Sequence, residues 1–279
     1  FFNCWQPDLV TNRDGGKIEF YKADPEWLAT ESECWVLHPG DEWHGFGDLE
    51  DGYCMLDPIK VSITTPGIGP KGLEENGIPA GILSAYLEQK GIVPEKTTDF
   101  TVLMLFSIGI TKGKWGTLVD TLLRFKDDYD NNVSLEETLP DILAIDPVRY
   151  AGMGLKDLCD QMFGAMKKYE TTKCMADGFA SLPHPDVSPS EAYEQLVLDN
   201  VERVTLDEAA GKTLATGIVP YPPGIPLIMP GENAGPADGP QLAYLKSLES
   251  FDRDFPGFEH DSHGVEAENG TYYVMVIKK

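Results

Sequence analysis

Basic side chains are scarce in this chain: 22 Lys and Arg stand against 46 Asp and Glu in 279 residues, a formal charge of −24. Binding a nucleic acid requires clustered Lys and Arg to neutralise phosphates, so no nucleic-acid partner is expected. Acidity of this size attracts cations and favours basic small molecules. Cysteine is sparse and odd in number, with Cys4, Cys34, Cys54, Cys159 and Cys174 and no CxxC pair. That pattern supports neither a zinc site nor a disulfide scaffold and fits the free thiols of a cytoplasmic protein. No apolar run approaches the length that spans a bilayer, so no membrane partner is expected. A GxSxG nucleophile elbow, a GxxxxGK[ST] phosphate loop, internal repeats and low-complexity tracts are also missing. The chain opens Phe1-Phe2-Asn3-Cys4-Trp5, without Met or a signal pattern, and reads as a segment of something longer.

What is present is globular. A hydrophobic fraction of 42% with 10% aromatics supplies a sizeable core, and a division into two domains is expected at this length. Residues 1 to about 50 read as irregular. Strand signals begin at Ile59–Thr64, a helix at Ile78–Lys90, short strands at Ile92–Glu95 and Thr101–Ser107, and an amphipathic helix at Thr111–Tyr129. This order is a compact α/β layer unit. Asp127-Asp128-Tyr129-Asp130-Asn131-Asn132 is a polar break that suggests a boundary at 131/132. Helices are then expected at Ser134–Leu143, Gly154–Lys168, Ala176–Leu182, Ser190–Asp199 and Gln241–Phe255. Strands are expected at Val201–Leu206, Thr213–Val219 and Tyr272–Ile277, the last after an Asn269-Gly270 turn.

The most distinctive stretch is Val219–Glu232, with five prolines among apolar residues. Proline fixes φ and removes a donor, so the run is neither helix nor central strand. It reads as a stiff segment packed on the protein, presenting Tyr221, its carbonyls and Glu232 at a defined place. A buried crossover without a ligand is the plainer alternative. Gly67-Ile68-Gly69-Pro70-Lys71-Gly72 has phosphate-loop composition without the spacing and reads as a plain loop. Glu259-His260-Asp261-Ser262-His263 has ligand composition, but its histidines are three apart in a loop, not four apart on a helix, so it reads as surface. Cys34 with His38 reads as coincidence. Trp43-His44-Gly45-Phe46 sets an imidazole between aromatics, which suits either stacking on a flat ligand or anchoring a loop. Glu95 follows Pro94 at a strand end, where α/β units face ligands. It could meet a ligand ammonium or guanidinium or pair with Lys96 at the surface.

Several segments read together carry a resemblance. They are Cys34-Trp35-Val36-Leu37-His38-Pro39-Gly40, Leu56-Asp57-Pro58-Ile59-Lys60-Val61, Leu105-Phe106-Ser107-Ile108-Gly109, Pro220-Tyr221-Pro222-Pro223-Gly224-Ile225-Pro226 and Pro256-Gly257-Phe258-Glu259. In this order the chain resembles the C-terminal portion of the bacterial Orn/Lys/Arg decarboxylases, pyridoxal-phosphate enzymes of fold type I. The resemblance implies an α/β (α+β) fold. Residues 1–131 would be the small C-terminal part of an aminotransferase-like core, and 132–279 the family's C-terminal α/β domain. It implies a basic amino-acid substrate, the remaining part of the same enzyme as partner, and a homodimer or higher homo-oligomer. Pyridoxal 5′-phosphate would be held upstream, because no lysine here has the family's cofactor-lysine context, so these residues should not decarboxylate alone. Glu95 aligns with the glutamate that lysine-type members place at the mouth of the site. Glu95, His44, Trp43, Tyr221 and Glu232 are the expected substrate-binding residues, with no catalytic, cofactor-binding or metal residue in the chain. Gly113-Lys114-Trp115-Gly116-Thr117-Leu118-Val119 looks closer to the arginine-type branch. Lysine is favoured, then arginine, then ornithine. A non-catalytic binding or assembly module of the same fold is the alternative.

Overall fold

A computed structural model describes residues 1–69 and 72–278. The Pro70-Lys71 centre of the glycine-rich loop lies outside the described residues. The first fifty residues carry only short elements: β1 (Asn3–Cys4), a hairpin of β2 (Leu9–Thr11) and β3 (Lys17–Glu19), and α1 (Pro25–Thr30). Asp24 starts α1 by accepting the Glu26 N–H, and Pro25 occupies the first helical position.

The first sheet follows. β4 (Lys60–Thr64) pairs antiparallel with β1; next come the two-residue strands β5 (Ile68–Gly69) and β6 (Gly72–Leu73), and helix α2 (Ala80–Gln89). β7 (Lys96–Thr97) and β8 (Thr101–Leu105) complete a four-stranded sheet in the order β1-β4-β8-β7. Ile63 faces Val102 across the β4–β8 ladder, and both are buried. The strand expected at Ile92–Glu95 is corrected: only Lys96–Thr97 pairs. Pro94 has no N–H to give a ladder, and Val93 is 77% exposed, so the segment meets the sheet only at its end, through the Glu95 N–H on the Leu103 carbonyl. α2 buries Ile82, Leu83, Tyr86 and Leu87, the face set by helical spacing.

α3 (Lys112–Asp130) buries Leu118, Thr121 and Phe125 and leaves Trp115, Val119 and Leu123 exposed. The single helix expected over 134–143 is instead α4 (Leu135–Thr138) and α5 (Pro140–Ile145). Pro140 cannot donate to the preceding turn and restarts the helix at its own first position. α6 (Leu155–Lys168) follows, and α7 (Thr171–Ala180) begins five residues earlier than expected. Glu170, in the left-handed region at φ 50°, separates α6 from α7 where the sequence shows no breaker. α8 (Pro189–Val197) opens on the Ser188/Glu191 capping box.

The second sheet has the order β12-β13-β9, from β9 (Val201–Thr205) and two strands near the C-terminus. The strand expected at Thr213–Val219 is corrected to isolated bridges, with β10 covering Val219–Tyr221 alone. Leu214 and Ala215 are buried in succession, which breaks the alternation a ladder strand needs. α9 (Pro240–Asp254) is followed by β11 (Asp261–His263), β12 (Val265–Glu268) and β13 (Thr271–Ile277). β10 pairs antiparallel with β11, so the proline-rich run does contribute an edge strand of a two-stranded sheet. Asn269 and Gly270, at φ 51° and 74°, make the β12–β13 turn.

Two large apolar cores result. The first joins Ile63, Tyr86, Val102 and Phe125 to Leu155, Leu158, Phe163, Phe251 of α9 and Phe255 just after it. The second joins Val204, Leu214, Ile228, Leu245, Leu248, Val274 and Val276. α9 therefore serves both, its early turns in the second core and its last turn in the first.

Candidate functional site

The five residues singled out from sequence occupy separate places; only Trp43 and His44 are neighbours. His44 lies edge-on to Trp43, ring centres 4.8 Å apart, and stacks on Phe46 at 5.4 Å. Its Nδ1 accepts the Phe46 N–H at 3.0 Å and its Nε2 reaches the His38 carbonyl at 2.9 Å. That pairing places the proton on Nε2 and leaves neither nitrogen free: the imidazole organises its own loop. Trp43 packs on Trp5, and its carbonyl takes the Trp5 indole N–H at 3.0 Å. The Trp43 indole nitrogen is buried without a hydrogen-bond partner among the described residues.

Glu95 is held from both sides of its peptide. Its N–H donates to the Leu103 carbonyl at 2.9 Å. Its carboxylate meets Lys60 Nζ at 3.3 Å across the sheet, not Lys96. It stands half-exposed at a cleft of about 590 Å³ whose walls include Ile92, Val93, Phe106 and Trp115, with Lys90 and Lys114 among the lining residues. Lys96 points the other way, over the Tyr221 ring at 5.1 Å, and donates to the Pro223 carbonyl at 2.6 Å. One lysine thus fastens the proline-rich run to the edge of the first sheet. Tyr221 belongs to a second cleft, shared with Asp99 and His260. Glu232 accepts the Met229 N–H at 2.7 Å and so closes its own turn; it lies in neither cleft.

The structure adds a cluster the sequence did not reveal. Asp252, 7% exposed, accepts from His260 Nδ1 at 2.6 Å, from the His260 backbone N–H at 3.1 Å and from the Tyr272 hydroxyl. His260 was expected in a surface loop with His263; instead its side chain is 16% exposed, while His263 and Asp261 stay at the surface. The available signal was helical spacing, which puts Asp252 on the apolar face of α9 with Leu245 and Leu248. Burial lowers the His260 pKa, but the Asp252 hydrogen bond and charge, helped by Asp99, outweigh it and leave it above the ordinary value. Burial raises the Asp99 carboxyl. Among the described residues no three His, Cys, Asp or Glu side chains converge as metal ligands.

A Schiff-base lysine must be desolvated so that its amine is uncharged and nucleophilic. Among the described residues no lysine is buried; Lys60, Lys126, Lys156, Lys212 and Lys246 are spent in ion pairs. The described residues do not fit a covalent pyridoxal-phosphate site.

A mixed helix-and-sheet structure bearing a half-exposed acid at a largely apolar cleft is the class that the geometry defines. Sequence models assign it. That of the Orn/Lys/Arg decarboxylase major domain matches residues 1–114, and that of the Orn/Lys/Arg decarboxylase C-terminal domain matches residues 172–278. The chain belongs to the Orn/Lys/Arg decarboxylase family. It is similar to the biodegradative arginine decarboxylase of Escherichia coli (strain K12), 46% identical over 280 residues, covering 100% of this chain and 37% of that protein. It is 44% identical over 284 residues to lysine decarboxylase LdcA of Pseudomonas aeruginosa, covering 100% of this chain and 36% of that protein. Among solved structures, the E. coli constitutive lysine decarboxylase superposes with a TM-score of 0.87 at 38% identity, covering 100% of this chain and 37% of that one. The chain thus spans little more than a third of the length of the relatives it matches.

Proposed function

We propose that this chain is the C-terminal part of a pyridoxal-phosphate-dependent decarboxylase that converts a basic amino acid, lysine before arginine or ornithine, to its amine and CO2. Residues 1–131 complete an aminotransferase-like core and 132–279 form the C-terminal domain. The rest of the same enzyme holds the cofactor, which supplies the electron sink for the departing carboxylate's electron pair. The working assembly is a cytoplasmic homodimer or higher homo-oligomer.

The observation that carries this reading is likeness along the whole chain to decarboxylases of lysine and arginine. This chain's own contribution is recognition. Glu95 presents a carboxylate at the rim of an apolar cleft, where it already accepts one ammonium, that of Lys60, through a single oxygen. A substrate ammonium is the same compact charge, whereas a guanidinium is suited to a planar two-point grip. The apolar walls suit the methylene stem of a lysine.

The test is steady-state kinetics of the full-length enzyme with Glu95→Ala. Losing one charge-assisted hydrogen bond of about 1.5–3 kcal/mol raises KM for lysine by about tenfold or more with little change in kcat. An unchanged KM removes Glu95 from substrate recognition. Full-length protein that releases CO2 from none of the three amino acids overturns the decarboxylase reading.

A further inference from the structure

The cleft beside Tyr221 has a volume of about 340 Å³ and lies between α2, the β7–β8 turn and the Gly257–Asp261 loop. Its ionisable lining is one-sided. Glu88, Asp99, Glu259 and Asp261 line it with His260, and among the described residues no lysine or arginine does. His260 is already engaged by Asp252, which lies outside the lining. Glu88 takes the Ser84 hydroxyl at 3.3 Å, and Glu259 takes the Gly257 N–H at 2.9 Å. Asp99 is different. Its carboxylate receives one long hydrogen bond, from Thr172 Oγ1 at 3.4 Å, and no ion pair among the described residues. A carboxylate drawn out of water and short of donors is costly.

A second deficit lies in the same wall. Thr171 is 6% exposed, lines the cleft, and its Oγ1 has no hydrogen-bond partner among the described residues. The lining also has an apolar part, with Met162, Met166, Phe251 and Phe258. One ligand chemistry answers both halves. An ammonium carries three donors and a positive charge, enough for Asp99 and Thr171 together, and a short aliphatic chain covers the methionines and phenylalanines. An anion would face four carboxylates, and a neutral alcohol would bring no charge to Asp99, whose neighbour His260 is already held by Asp252.

We propose that this cleft is a binding site for a short alkylammonium, its head on Asp99 and Thr171 and its chain over Met162, Met166 and Phe251. The site is distinct from the Glu95 cleft, and the inference rests on charge and lining, not on the decarboxylase reading. A failure of either therefore leaves the other standing.

The test is isothermal titration of the full-length protein with butylammonium, 1-butanol and butyrate as probes. Butylammonium binds at least tenfold more tightly than 1-butanol, and butyrate does not bind. Asp99→Asn weakens butylammonium at least tenfold. Ala85→Leu, which fills the cleft from α2 without touching the acid, does the same and carries the test should Asp99→Asn fold poorly. Glu95→Ala does not weaken the Ala85-sensitive binding. Equal affinity for the alcohol, or amine binding unchanged in both Asp99→Asn and Ala85→Leu, overturns the proposal.

Discussion

Asp252 accepts three hydrogen bonds inside the protein, two from His260 and one from Tyr272, and so ties the end of α9 to the loop before β11 and to β13. Burial together with the Asp252 charge and hydrogen bond holds the Tyr272 phenol protonated far above its ordinary range. His260 has a folded pKa raised above the unfolded value, which is about 6.5 for a free imidazole. A raised value means that its stabilisation is complete below about pH 6.5 and is lost as the pH climbs through the higher folded value. Urea unfolding at a series of pH values therefore shows a stability difference between the wild type and His260→Gln that is largest near pH 6 and shrinks toward pH 9. A difference independent of pH would mean that the imidazole has the same pKa folded and unfolded, and one that grows with pH would mean that it is neutral in the folded protein. Helical spacing marks Asp252 as inward-facing, but the pair was not legible in the sequence, where His260 stood near His263 in what looked like a ligand-rich surface loop. The partner lies eight positions back on a helix, and only the fold brings it near. Glu95 stood out as an acid after proline, which is a local feature, but the strand it was expected to end is absent, and its partner Lys60 comes from a strand that only sheet register could identify.

The elements follow local rules wherever one face is buried. α2, α6 and α9 sit within a residue or two of their apolar spacing, and β13 alternates Tyr272, Val274 and Val276 inward. The misses lie where tertiary contacts replace periodicity. The 213–219 segment buries adjacent residues and is fixed by three partners, Asn233, Val276 and Ile228, instead of one ladder. Its crossing with the β11–β12 connection leaves no space: Gly264 has φ 81°, and a Cβ there would collide with the Gly217 carbonyl oxygen. Gly152 has φ 70° with nothing near its missing Cβ. Both positions cost an L-residue about 1–2 kcal/mol of backbone strain, but Gly264→Ala adds a backbone collision. Denaturant melts should show Gly152→Ala destabilised by about 1–2 kcal/mol and Gly264→Ala by clearly more. Equal losses would show that the crossing relaxes freely.

On the scale of the molecule, the first core crosses the polar break at 127–132 and takes in α4, α5 and α6. Phe163 on α6 is 3% exposed, meets Phe100 edge-on at 6.0 Å, and fills the close approach of Gly67 and Gly77. Phe163→Ala should cost about 3–5 kcal/mol. Amide exchange should then accelerate in β4 and β8 as well as in α6, since they share one core; faster exchange confined to 155–168 would separate them. The amino-acid order alone determined the helices and strands with one apolar face, the stiffness of the proline-rich run, the acidic balance and the family resemblance, because each is written in neighbouring residues or in composition. The tertiary structure decided that α9 divides its length between two cores. It decided too that Lys96 fastens the proline-rich run to the first sheet and that Asp99, Thr171 and His260 share one cleft. Those facts depend on residues dozens of positions apart in the chain, and only packing, which selects partners by shape and by the need to satisfy buried polar groups, brings them within reach of one another.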